Sequence, residues 1–273
     1  MLLRRIWRRL TGKGHARPTY SEYASYQEAL SDSDGYQQAE LLNLVREKTR
    51  IYRGSLARDP SRTIDNPQLT QNLLVFASLG NTGPIQVLEL GGACGAAFFE
   101  MDTFFPGIIK RWAIVETPAM VATGSASFQS DRLVFSSDLA GALKQGTQPD
   151  MVLAQGVLQY LKDPLKTLGD LAALGVRHLY FCRIMASPDI QSPLFTRQEA
   201  NLSAHGPGPM PEGFTDRVTT QPLTIVPASA FDAIPAAGYN IVYSFREGPD
   251  FIWRLPGREI AVRHVGYLYR KSE

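Results

Sequence analysis

The run Val87-Leu-Glu-Leu-Gly-Gly-Ala-Cys-Gly-Ala-Ala97 carries an apolar stretch straight into three glycines and then into alanines. Glycine lets a backbone swing close to a ligand, and a helix that starts just beyond it presents free N–H groups to an anion. Glu89, Gly91, Gly92 and Gly95 are therefore candidates to hold the charged end of a small molecule. Twenty-five positions past Gly91, Trp112-Ala-Ile-Val-Glu116 closes on a carboxylate able to accept both hydroxyls of a ribose. Phe135-Ser-Ser-Asp138 ends on another, suited to the exocyclic amine of an adenine. Three nucleoside-reading positions in register describe a crevice at successive strand ends, where doubly wound sheets bind their ligands.

A general base near neutral pKa would come from one of four histidines, His15, His178, His205 and His264. Only His205 stands in a loop expected to overhang the strand ends; His178 and His264 fall in or beside strands and read as structural. Arg183, at the end of the fifth strand, is a candidate for an anionic acceptor or for an ion pair. No His, Asp, Glu or Cys spacing suits a metal.

The elements that must position these residues follow from periodicity. From Tyr20 to Tyr52 the pattern is helical, with Leu41, Leu42, Leu44 and Val45 on one face. After Asn81-Thr-Gly-Pro84 short apolar strands alternate with helices. Strands are expected at Ile85–Leu90, Arg111–Glu116, Arg132–Phe135, Asp150–Gln155, Val176–Ile184, Tyr239–Arg246 and Glu259–Arg270. Helices are expected near Ala96–Phe105, Pro118–Gly124, Leu139–Lys144 and Pro164–Ala173. The result is an α/β, doubly wound, Rossmann-like seven-stranded sheet, mostly parallel and ending in an antiparallel pair. Residues 1–18 read as a tail, 19–80 as a helical cover and 81–273 as the main domain. Met185 to Pro227, with His205-Gly-Pro-Gly-Pro-Met-Pro211 at its centre, reads as an irregular 185–227 loop insertion serving as an acceptor-side lid.

Of 273 residues, 44% are hydrophobic and 20% charged, which excludes a disordered or disulfide-stapled chain. Six Lys/Arg and no acid fall in the first 18 residues, leaving 22 basic against 26 acidic residues in the rest. A mildly acidic body has no broad footprint for a phosphate backbone, so no nucleic-acid partner is expected. Interleaved Leu2, Leu3, Ile6, Trp7 and Leu10 make the tail a basic amphipathic segment for peripheral contact with an anionic membrane. Two lone cysteines, no apolar run of spanning length and no signal-peptide order imply a cytoplasmic location. Oligomeric state is not readable.

The Glu89-x-Gly91-x-x-x-Gly95 turn, Glu116, Asp138 and the exit Val157-Leu-Gln-Tyr-Leu-Lys-Asp-Pro164 resemble a class I S-adenosylmethionine-dependent methyltransferase over about residues 20 to 270. The chain is most similar to a bacterial methyltransferase group associated with surface-polysaccharide genes. The resemblance implies S-adenosyl-L-methionine as cofactor and a small-molecule or saccharide acceptor. It also implies that Glu89 to Gly95 hold the amino-acid end, Glu116 the ribose and Asp138 the adenine, while Gln155 to Leu158 wall the methyl and Tyr160 faces the cation. Ala93 stands where the pattern has its middle glycine, and Gln159 where a His is common. A nicotinamide oxidoreductase would need G-x-G-x-x-G, which Gly91-x-Ala93-x-x-Ala96 does not supply. A binding or assembly protein that keeps the fold without turnover is the other alternative.

Overall fold

Along each central strand, odd and even residues are both apolar, so the sheet buries both faces. The computed structural model describes residues 20–59, 67–79, 83–144 and 148–272. Three helices come first: α1 (Tyr26–Ser31), α2 (Ala39–Arg58) and α3 (Pro67–Ser78). The βα alternation follows as β1 (Ile85–Leu90), α4 (Ala96–Phe104), β2 (Ile109–Val115), α5 (Pro118–Phe128), β3 (Leu133–Ser136), α6 (Leu139–Lys144), β4 (Met151–Gln155), α7 (Pro164–Ala173) and β5 (His178–Ser187). The remainder is β6 (Leu194–Asn201), β7 (Val218–Pro227), α8 (Ala233–Ala236), β8 (Tyr239–Arg246), β9 (Phe251–Leu255) and β10 (Arg258–Lys271).

The main path of the sheet runs β3-β2-β1-β4-β5-β10-β8. β1 to β5 pair in parallel, and β10 is antiparallel to both β5 and β8. This is the expected seven-stranded Rossmann-like plan. Val87, Trp112, Ile114, Met151, Leu153 and Tyr180 face one apolar layer, which α2, α3 and α4 cover. Their neighbours Leu88, Ala113, Val152, Ala154 and Leu179 face the other, under α7 and α8. Glu89 and Gln155 continue the first series, so both side chains emerge on the α3–α4 side at the strands' C-terminal ends.

Three expectations need correction. The 185–227 stretch is not an irregular loop: β6 and β7 form an eight-pair antiparallel ladder, Leu194↔Ile225 to Asn201↔Val218, and β7 joins β5 in parallel at Ala186↔Val226. Its proline- and glycine-rich core occupies only the connection between them, while Val218-Thr-Thr-Gln-Pro-Leu-Thr-Ile-Val-Pro227 is a β-branched strand. The final strand is preceded by a separate hairpin, β9 folding onto β10 across Pro256-Gly257, where Gly257 takes the positive φ such a turn requires. Nor is the lead purely helical: Tyr23 bridges to Phe195 of β6, and Tyr20 stacks on Trp253 of β9 at 3.8 Å. The tail, 1–18, lies outside the described residues. No described helix is long and apolar enough to cross a membrane.

Candidate functional site

The order β3-β2-β1-β4-β5 reverses direction between β1 and β4, and ligands of open α/β sheets bind over such a point. The residues on its β1 side converge. Gly91, at φ 72°, packs so close to Val157 that a Cβ there would stand 2.4 Å from its Cγ2. A Cβ on Gly92 would meet the Glu89 carboxyl at the same distance. Ala93 adopts φ 49°, the conformation glycine favours, so the substitution leaves the turn in its glycine shape at a cost of about 1–2 kcal/mol. Gly95 then caps α4 without a side chain, and no acid stands in that helix's first turn. No side chain caps its first N–H groups, an arrangement that suits a carboxylate ligand.

Glu116 follows β2 directly. Its Oε1 accepts the Ala93 N–H (3.1 Å) and its Oε2 the Thr117 N–H (2.8 Å). Burial raises its pKa, and the two amides oppose that rise. Asp138 caps α6, accepting the Gly141 N–H at 2.6 Å on Oδ1, and is otherwise exposed. Glu89 lies beneath the turn and accepts the Trp112 indole N–H at 2.7 Å. Burial, with Glu100 and Glu116 nearby, pushes it up to about 8.

Under these residues runs a buried polar network that the sequence reading missed. Asn72 of α3 donates to Gln155 Oε1 (3.2 Å) and accepts from Tyr180 (3.2 Å) and Gln68 (3.2 Å). It also stands against Glu100, which takes the Tyr52 hydroxyl at 2.8 Å and which burial raises to about 7. One signal was present. Leu69, Asn72, Phe76 and Leu79 repeat at helical spacing, so Asn72 is a polar residue on an apolar stripe.

On the β4 side the chain leaves Gln155 through Gly156 into a short 3₁₀ turn, Leu158–Tyr160. Tyr160 donates to Gln198 of β6 (2.9 Å), and its carbonyl accepts the Tyr26 hydroxyl (2.8 Å). Tyr36 lies edge-on to both Tyr160 (4.9 Å between ring centroids) and His205 (5.8 Å). Burial, with Tyr160, Tyr26 and Glu116 nearby, holds its phenol well above the usual range. Nothing in the sequence marked it. His205 Nε2 is 3.4 Å from the Thr219 hydroxyl, and burial and Lys48 lower its pKa. The buried Lys48 of α2 donates to the Ser203 (2.8 Å) and His205 (2.7 Å) carbonyls, clamping that segment. Like Asn72, it interrupts an apolar stripe, here Leu41, Leu44 and Val45.

Arg183 stands at the far side, exposed, over Gly156. His178 begins β5 at the opposite end of the strand, where burial and Arg270 lower it to about 4, and His264 lies within β10. Among the described residues, no three His, Cys, Asp or Glu are grouped to hold a metal ion. Both cysteines are free and buried.

No family model and no curated protein matches the chain. Solved structures are similar in outline. An S-adenosylmethionine-dependent methyltransferase from Clostridium acetobutylicum is 10% identical, with 83% of this chain and 98% of that one covered at a TM-score of 0.49. A magnesium protoporphyrin IX methyltransferase from Synechocystis with bound S-adenosylhomocysteine is 13% identical, with 99% and 94% covered at 0.46. An N-methyltransferase from Bradyrhizobium japonicum in complex with S-adenosylhomocysteine is 16% identical, with 83% and 99% covered at 0.46. At such identities and scores, function has to be argued from the site's own chemistry.

Proposed function

We propose that the protein is an S-adenosyl-L-methionine-dependent methyltransferase acting on a small-molecule or saccharide acceptor. The observation that carries this reading is the meeting of the glycine turn and a half-buried acid: the Ala93 N–H reaches Glu116 Oε1 at 3.1 Å, at the C-terminal ends of β1 and β2. An uncapped helix start, a carboxylate with unused lone pairs and the outer oxygen of Asp138 form a donor and acceptor set that fits the cofactor's three polar parts. The N–H groups opening α4 hold its carboxylate, Glu116 accepts the ribose hydroxyls, and Asp138 accepts the adenine amine. When bound, S-adenosyl-L-methionine supplies a methyl group activated by the adjacent sulfonium.

The protein's remaining task is to hold the acceptor in line and exclude water. Gln155 to Leu158 form the wall, with Gln155 fixed from below by Asn72. Tyr160, tied to Gln198, and His205, clamped through Lys48, bound the acceptor side with Tyr36 between them. Burial and Lys48 lower the His205 pKa and so favour the neutral ring, the state in which a ring nitrogen accepts a proton from an acceptor hydroxyl or ammonium.

Calorimetric titration with S-adenosylmethionine and S-adenosylhomocysteine tests the reading. Both should bind, the product at least as tightly, while NAD should not. Absence of binding by either would overturn the proposal. Binding without transfer to any acidic, neutral or amino saccharide acceptor would favour a non-catalytic binding protein.

A further inference from the structure

β5 does not pair evenly with β10. Ile184 faces Val265 and Phe181 faces Tyr267, so Cys182 and Arg183 together oppose Gly266. This two-against-one arrangement is a β-bulge, a device that re-aims a side chain beside an active site. Arg183 carries the strain of it at φ 54°. A bulky side chain persists in that region only when its surroundings hold it there. They do so from both sides: the Arg183 N–H donates to Glu247 Oε1 (3.0 Å), and its carbonyl accepts Gln159 Nε2 (3.0 Å). Gly266 fits the same design, since a Cβ there would stand 2.2 Å from the Phe245 ring that packs over it.

The side chain so aimed is exposed, and the Glu247 carboxylate is near enough to feel its charge without closing an ion pair. Glu247 is engaged through the backbone amide, and among the described residues no acid forms an ion pair with the guanidinium. Its Nε and Cζ lie over Gly156, each 3.8 Å from where a Cβ on that glycine would be. Gly156 joins Gln155 to Val157, and Val157 packs on Gly91. The guanidinium therefore stands on the β4–β5 rim of the crevice, across the switch point from Glu116. A planar fork of fixed direction matches a carboxylate or phosphate bidentately, which an ammonium does not.

We infer that Arg183 is a specificity-determining residue that binds an acidic group, carboxylate or phosphate, on the acceptor. The inference rests on the methyltransferase reading for the word acceptor, and on the bulge alone for the anion. Titration of ¹⁵N-labelled protein with galacturonate, inorganic phosphate and galactose, at constant ionic strength, tests it. The Arg183 Nε–Hε resonance, assigned by its loss in Arg183→Gln, is expected to shift saturably with an anion and not with galactose. Saturation by galacturonate alone identifies a carboxylate, by phosphate alone a phosphoryl group, and by both the shared chemistry.

Arg183→Lys, which keeps the charge and loses the fork, should weaken the anion about tenfold. Arg183→Gly relieves the left-handed strain, so it should fold at least as stably as the native chain while abolishing saturation. A shift that never saturates, an equal shift with galactose, or undiminished anion binding by Arg183→Gly would overturn the inference. S-adenosylhomocysteine is titrated in parallel. If it fails to move the Gly91 and Gly95 amides, the methyltransferase reading fails while the anion result stands.

Discussion

Two non-glycine residues of the described chain adopt a positive φ, Ala93 and Arg183, and both stand at the C-terminal ends of the parallel strands. They are held differently. Ala93 lies in a tight turn where the geometry itself demands the left-handed conformation, and its amide goes to Glu116. Its methyl group has no evident part in the arrangement. Arg183 lies within a strand, where nothing local demands the conformation, and Glu247 and Gln159 fix it from either side. The contrast divides the crevice. In the proposed reading, the backbone presents the binding groups on the β1–β2 side and side chains close the turn from below. On the β4–β5 side the backbone is bent so that side chains can be presented.

The largest test of this division falls on Glu116. Glu116→Ala should lower S-adenosylhomocysteine affinity by about 10²- to 10⁴-fold, since two charge-assisted hydrogen bonds of roughly 1.5–3 kcal/mol each are lost. Asp138→Ala should cost about tenfold, because the aspartate is exposed and already occupied by the Gly141 amide. Arg183→Gly should leave that affinity unchanged. Calorimetry on the three folded variants gives the ordering, and an equal loss in all of them would erase the boundary between the two sides.

A second test loosens the acceptor side alone. Lys48→Met strands the Ser203 and His205 carbonyls, and unpaired buried acceptors cost about 1–3 kcal/mol each. Urea unfolding should show a loss of about 2–6 kcal/mol. Amide exchange should accelerate at residues 202–206 and not in the turn at 91–95. Acceleration in both places would mean that the halves are mechanically one.

The two sides also differed in how far they could be read beforehand. The strand ends and turns that carry Glu89, the glycines, Glu116 and Asp138 were legible because a strand end followed by a turn is local, so position along the chain nearly determines position in space. The parallel run and the antiparallel pair that closes it followed from the same alternation. The β6–β7 ladder was missed because the prolines and glycines of 206–211 outweighed the β-branched run after them. Asn72, Lys48 and Tyr36 act across long sequence separations. Of these, only the first two left a trace, as polar residues on apolar helix stripes. The bulge at Arg183 depends on Gly266, Glu247 and Gln159 at once, and no window of sequence contains that set.

A third test concerns the buried acids beneath the β1–β2 side. Burial raises Glu89 to about 8 and Glu100 to about 7, both above their ordinary value in the unfolded chain. Between those limits the folded state holds protons that the unfolded state has released, so stability falls as pH rises from about 5 to 8. The slope is at most about 1.4 kcal/mol per pH unit for each group. Denaturation midpoints should decline from about pH 6.5 to 8, where the depressed His178, His205 and His264 no longer add the opposite slope, and Glu89→Gln with Glu100→Gln should flatten the decline. A midpoint that rises from about pH 6.5 to 8, above the range where those histidines add the opposite slope, would mean that both acids are ionised in place.

The smallest effect is expected at Ala93, and it bears most directly on the contrast between the two strained residues. Replacing Ala93 with glycine removes a left-handed penalty of about 1–2 kcal/mol and restores unfolded-state freedom worth about 0.4–1 kcal/mol in the opposite sense. The balance is a gain of about 0.5–1 kcal/mol, or roughly 2 °C in melting temperature for a chain of this size. Because the backbone already has glycine's shape and already directs its amide to Glu116, S-adenosylhomocysteine affinity should change by less than about twofold. Ala93→Val should destabilise instead, since a β-branched side chain is worse at positive φ. A tenfold gain in affinity for the glycine variant would show the native methyl group intruding on the ligand. The β1–β2 side would then be limited by a side chain after all, and the division drawn between it and Arg183 would fail.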